Sequence, residues 1–167
     1  MEAVTTSQSA QVTLPQDDQI LITREFDAPK DLVFKAWTTP DLVKRWWHAK
    51  RGEATVAEID LRVGGKWRYV MVTEDGQEVA FHGEYHEIVQ NERIVSTEVF
   101  EGAPVPDPDA AGTVNTLTLT ETDGRTALEV LVQAPSKEVR DAIIESGMEA
   151  GLQDALDLLE QVAQAQR

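Results

Sequence analysis

Over residues 53–100 and 114–132 the side chains repeat with a period of two, interrupted only at turn residues, and this commits the middle of the chain to antiparallel strands. Ala54 and Val56 alternate with Thr55, Ala57 and Ile59 up to about Leu61, leaving open which face is buried. Gly64-Gly65 then marks a turn, after which Trp67, Tyr69 and Met71 fall on one face of a strand. Asp75-Gly76 closes a hairpin, and on the next strand Phe81, Gly83 and Tyr85 oppose His82, Glu84 and His86. Residues 93–100 extend the sheet, and residues 114–120 and 127–132 form two more strands around the turn Thr122-Asp123-Gly124-Arg125.

Helical spacing flanks this region. A β-branched strand over residues 19–26 precedes Asp27-Ala28-Pro29, where Asp27 is a cap for a helix with Leu32, Val33, Ala36 and Trp37 on one face. Thr39-Pro40 interrupts that helix, and a second short one covers residues 41–47. At the other end Ser136 caps one long amphipathic helix whose inner stripe runs through Ile144, Met148, Gly151, Ala155, Leu159 and Val162. Residues 101–112 carry three prolines without periodicity and read as a long loop, a lid over whatever the sheet and helix enclose. The order makes the chain α+β. Residues 1–18 read as a polar tail and residues 19–167 as a single domain, the size expected of one hydrophobic core.

Composition removes several function classes. There is no cysteine, hence no disulfide and no thiol nucleophile. The formal net charge of −15 opposes nucleic acid and anionic membranes as partners. Residues 1–14 lack the apolar run of a signal peptide or anchor, so a soluble, cytoplasmic protein is expected. No nucleotide-binding loop, zinc-spaced cluster or nucleophile elbow occurs, so no cofactor, metal or catalytic residue is assigned. His82, Glu84 and His86 share a strand face, but its outer members stand about 13 Å apart and cannot close on one ion.

Against the acidic body, Lys44, Arg45, Lys50 and Arg51 make a basic collar around Trp46-Trp47, a surface for an acidic protein partner. Trp46 is expected to anchor the second helix and Trp47 to stand at a cavity mouth. Tyr69, Tyr85, Asn115 and Glu98 are the polar groups that an enzyme would need inside such a cavity. Their plainer roles are favoured: hydroxyls at the core edge, an amide satisfying backbone, and Glu98 turned to solvent. Gly147 and Gly151, inside a helix, indicate a close approach by the sheet or by a ligand.

The segments Phe26-Asp27-Ala28-Pro29, Val33-Phe34-Lys35-Ala36-Trp37-Thr38, Trp46-Trp47, Gly64-Gly65-Lys66-Trp67 and Gly147-Met148-Glu149-Ala150-Gly151 occur together and in order. In these the chain resembles bacterial homologues of the activator of heat-shock protein 90 ATPase, within the START-like, SRPBCC superfamily, from about Ile20 to the C-terminus. The resemblance implies a helix-grip fold, a curved antiparallel sheet wrapped around a C-terminal helix with a hydrophobic cavity between them. His48 and Leu152 depart from the usual pattern, the first replacing a small residue and the second an aromatic one. The leading functional expectation is a small hydrophobic ligand held by Trp47, Trp67, Tyr69, Met71, Phe81, Tyr85, Asn115, Leu117, Met148, Gly151 and Leu152. The alternatives are a stress-response, co-chaperone-like interaction module and a polyketide-cyclase-like enzyme. A homodimer is a further expectation, since an open sheet leaves edges to cover.

Overall fold

The computed structural model describes residues 10–47, 51–101 and 112–167. The strands β1 (Gln11–Thr13), β2 (Gln19–Phe26), β3 (Gly52–Ile59), β4 (Lys66–Thr73), β5 (Glu78–Val89), β6 (Arg93–Phe100), β7 (Thr113–Thr122) and β8 (Arg125–Gln133) form one antiparallel sheet. Its order is β1-β2-β8-β7-β6-β5-β4-β3, so β3 to β8 are a meander and β2 closes onto the last strand. Three of the strand turns carry glycines at positive φ, Gly64, Gly76 and Gly124, with Asp123 beside the last, and the turn from β5 to β6 places Asn91 at positive φ instead. Residues 10–18, read as the end of a polar tail, instead contribute the edge strand β1. Ala10 there exchanges two hydrogen bonds with the Gln153 side chain, at 3.0 and 2.7 Å.

A register shift between Ala54 and Val56 explains why β3 gave no clear buried face: a bulge puts Ala54 opposite Met71 and Val56 opposite Val70, breaking the alternation midway. A second shift, between Tyr85 and Glu87, bends β5. Both increase the curvature that lets the sheet wrap around a helix.

Two short helices, α1 (Lys30–Thr38) and α2 (Pro40–Trp46), follow β2, with Pro40 opening the second as its first residue. Pro29, rather than Asp27, occupies the cap position of α1 and makes no side-chain cap bond. Asp27 instead joins the C-terminus: its N–H donates to Glu160 at 2.8 Å, and its carbonyl accepts from Gln164 and Arg167. The long C-terminal helix is interrupted. Ser136 caps α3 (Lys137–Glu145) by accepting from the Val139 N–H, and α4 (Met148–Gln164) begins afresh after Gly147, whose φ of +83° is left-handed. Gly147 is therefore a break in the helix, and no close approach accounts for it.

The core lies between the sheet's inner face and α1, α2 and α4. Phe26, Ile20, Leu128, Val33, Val43, Leu156 and Leu159 are all buried in it. Arg24, although charged, is 3% exposed. It reaches from β2 to α4, donating to Asp157 at 2.8 Å and Glu160 at 3.3 Å with its guanidinium 5.0 Å from the Phe26 ring centroid.

Candidate functional site

The two adjacent tryptophans point in different directions. Trp46 is buried, donates its indole N–H to the Ala36 carbonyl at 2.9 Å and packs 5.0 Å from the Trp37 ring, so it ties α2 to α1. Trp47, one helical step on, is half-buried and turns to the sheet, edge-on to Tyr69 at 5.4 Å and to Phe81 at 5.8 Å. These contacts belong to a continuous line of rings. Trp67 stacks on Tyr69 at 4.7 Å, and Phe81 on Phe100 at 5.2 Å, so aromatic surface runs from the buried Trp67 to an exposed Phe100.

Gly83 makes this line possible. A Cβ there would meet the Thr97 carbonyl oxygen and the Trp67 indole nitrogen well inside contact distance. Without one, the indole crosses the strand and donates to the Thr97 carbonyl at 3.2 Å, while the Glu84 N–H turns to the Thr97 hydroxyl at 2.9 Å. The β5–β6 ladder is open at this point, with no register pair between His82–Val99 and Tyr85–Ser96.

Polar groups collect on the inner face beside that opening. Ile94 is core, and alternation from it places Ser96, Glu98 and Phe100 on the same side of β6. Ser96 lies opposite Tyr85 and Asn115, and Glu98 opposite Thr113. Glu98 accepts from the Asn115 amide at 3.0 Å, and Asn115 in turn accepts from the Thr113 hydroxyl at 2.9 Å. Burial pushes the Glu98 carboxyl above the usual carboxylate range, and the Asn115 hydrogen bond only partly offsets it. Burial likewise pushes the Tyr69 hydroxyl well up, with Tyr85 and Glu98 adding to the effect, and pushes up Tyr85. Both phenols are therefore held neutral, as donors. The expectation that Glu98 faces solvent is corrected: the parity of β6 turns it inward.

Burial between sheet and helix is uneven along α4. In the C-terminal part of α4, Ala155, Leu156, Leu159, Val162 and Ala163 are buried, whereas Met148, Gly151 and Leu152 in its first turns are half-buried. On the sheet Trp67, Tyr69, Met71, Tyr85 and Leu117 are buried, and Phe81, Ser96, Glu98 and Asn115 are half-buried. The residues expected to line a cavity thus fall into a sealed set and a set that still reaches solvent.

Arg51 explains Gly151. Its side chain lies over the first turn of α4 and donates to the Gly147 carbonyl at 3.1 Å, and a Cβ on Gly151 would sit 2.5 Å from the guanidinium carbon. Among the described residues it is the Arg51 side chain that lies over Gly151. Of the basic collar, Arg51 is exposed with this bond, Lys44 and Arg45 occupy the last turn of α2, and Lys50 lies outside the described residues. His48 and residues 102–111 of the expected lid are also outside them.

The outer face carries a different cluster. Glu101 accepts two bonds from Arg68, at 2.8 and 2.9 Å, and faces His82 Nδ1 at 3.0 Å; the Arg68 bond foremost holds its carboxyl below the ordinary range. These three, with Glu58, Lys66, Trp67 and Gly83, border an open groove of about 410 Å³. No group of three His, Asp or Glu side chains among the described residues converges on a metal position. None of the described helices is long and apolar enough to cross a membrane.

The sequence pattern of the family described as activator of Hsp90 ATPase homolog 1-like protein matches residues 27–164. The chain belongs to that family. Solved structures resemble it throughout: a Rhodobacter sphaeroides protein is 23% identical with a TM-score of 0.85, covering 94% of this chain and 99% of its own. An Arthrobacter aurescens protein is 26% identical with a TM-score of 0.81, covering 93% and 91%. The AHSA1-like protein of Aeromonas hydrophila is 22% identical with a TM-score of 0.66, covering 87% and 92%. No curated protein matches the sequence. The START-like, helix-grip fold of the family is thereby shown for this member, and its chemistry rests on the site described above.

Proposed function

We propose that this protein binds a small, mainly apolar molecule between the inner face of its sheet and the first turns of α4. The observation that carries the reading is the graded burial of the groove: sealed from Ala155 onward, half-open at Met148, Gly151, Leu152, Phe81 and Trp47. A filled core would bury the large residues of this set, because leaving a Met, Leu or Phe side chain out of the core forfeits roughly 1.5–3 kcal/mol each. The aromatic line from Trp67 to Phe100 supplies a wall and a mouth for a ligand. Membership in a START-like family, whose fold commonly encloses hydrophobic ligands, supports the same reading.

The test is native mass spectrometry of protein purified from its own host, followed by a thermal-shift panel of fatty acids, fatty alcohols and alkylamines. A retained small molecule, or a rise in Tm with any of these, supports the reading. A protein of bare mass whose Tm none of them moves overturns it.

A further inference from the structure

Glu98 is a costly residue in its position. Its Oε1 accepts from the Asn115 amide, while Oε2 meets no hydrogen-bond donor among the described residues. The Asn115 amide is itself fixed by Thr113, so it cannot turn a second donor toward the carboxylate. Of the described groups, only the Asn115 hydrogen bond favours its ionised form. A half-buried carboxylate without a counter-ion is destabilising, since desolvation is not repaid by a partner.

The surroundings suit one kind of partner. Gly83, opposite Glu98 across the open part of the ladder, yields its place to the Trp67 indole, and Tyr69, Trp47 and Phe81 continue the ring surface from there. Ring faces attract cations, and the net charge of −15 raises the local concentration of positively charged solutes. An anionic headgroup would meet Glu98 as a like charge.

Building on the ligand-binding reading above, we infer that the ligand is an organic cation: an apolar body bearing a protonated amine, with the ammonium against the free oxygen of Glu98 and the body among the aromatic rings. Glu98 is then the specificity-determining residue of the site, and Asn115 and Thr113 position its carboxylate.

The inference is tested by calorimetric titration at about 150 mM salt, where diffuse surface attraction is largely screened. The probes are dodecylamine, dodecanol and dodecanoate below their critical micelle concentrations, which share one chain and differ in headgroup charge. Dodecylammonium is expected to bind about tenfold or more tighter than the other two, as a charge-assisted hydrogen bond implies. Glu98→Gln, which keeps shape and removes charge, is expected to weaken dodecylammonium at least about tenfold more than dodecanol. Glu129→Gln, an exposed acid on β8, controls for general charge attraction and is expected to keep the preference. Equal affinity for all three probes, or tightest binding of dodecanoate, overturns the inference and leaves the apolar site standing. Equal losses in both variants overturn it as well. Binding of none of the probes defeats both the inference and the reading beneath it. Glu98→Gln must keep the near-UV circular dichroism of the parent, and Glu98→Ser repeats the comparison if it does not.

Discussion

Gly147 and Gly151 are four residues apart and are required for different reasons. Gly147 holds a φ of +83°, where an alanine is strained by about 1–2 kcal/mol, so Gly147→Ala is expected to lower stability by that amount in urea unfolding. Gly151 is helical, and its missing Cβ leaves space only for the flexible end of Arg51. There Gly151→Ala gains about 1 kcal/mol of helix propensity and gives up an exposed hydrogen bond worth about 0.5–1 kcal/mol, so stability should change by less than about 0.5 kcal/mol. A large loss at residue 151 would mean that the Arg51 seat is structurally essential. Both glycines stood out in the sequence, but the local signal could not separate a positive φ from a side-chain seat. Glu98 was harder to read. Charge alone places a glutamate outside, and only parity counted from Ile94 along β6 turns it inward. Its raised carboxyl has a consequence for stability. The folded state holds the Glu98 proton more tightly than the unfolded chain does, so this group destabilises the fold as pH rises through its folded value, and the effect vanishes below the ordinary carboxylate range. Glu98→Gln is therefore expected to melt above the parent at pH 8, with the advantage fading as pH approaches 4. A constant difference across that range would show that Glu98 does not titrate abnormally.

Elements were legible where a short-range rule decides them. The turns at Gly64, Gly76 and Gly124, the proline start of α2 and the serine cap of α3 each follow from one or two residues acting on the adjacent backbone. Elements fixed by distant partners were not. β1 exists because Gln11, Val12 and Thr13 pair with Thr23, Ile22 and Leu21, and because Gln153 holds Ala10 from the far end of the chain. Asp27 looked like a cap; its backbone instead fastens α4 through Glu160 and Gln164, and its carboxylate faces Arg125 and Arg167 at 3.8 and 4.0 Å. The same helix is held to β2 by Arg24, whose charge favours solvent but whose parity with Ile20, Ile22 and Phe26 turns it inward. Removing that guanidinium leaves Glu160, 16% exposed, without it and uncovers the Phe26 ring, so Arg24→Ala is expected to cost about 3 kcal/mol. Asp157 is 59% exposed, and Asp157→Asn should cost no more than about 1 kcal/mol. Chemical denaturation of the two variants checks the contrast; equal losses would mean that the Arg24 bridge works through Asp157 rather than through burial.

At the scale of the molecule, the fold could be read from dispersed motifs because the meander and terminal helix satisfy the same pattern of inward faces. The partial burial of the first turns of α4 could not, because it depends on how far those turns stand from the sheet, a distance that no residue identity encodes. Periodicity assigned Met148, Gly151, Ala155, Leu159 and Val162 to one inner stripe with equal weight. The fold divides them, sealing Ala155, Leu159 and Val162 and leaving Met148 and Gly151 half-buried. Gly147 contributes to the division, since a left-handed residue ahead of α4 uncouples its first turn from α3. Unequal packing along one helix implies unequal local stability, because opening a loosely packed turn exposes little apolar surface. Backbone amides of residues 156–163 are therefore expected to exchange hydrogen only through global unfolding, and those of residues 152–154 through a smaller local opening. Mass-spectrometric exchange at peptide resolution should find the second group exchanging at least about tenfold faster, a difference in opening free energy of about 1.4 kcal/mol. A bound ligand should slow that group and leave the first unchanged, because it stabilises only the state in which these turns are closed over it. Uniform protection along α4 would mean that the half-open end is as firmly packed as the rest, and the argument for a ligand beneath it would lose its physical basis.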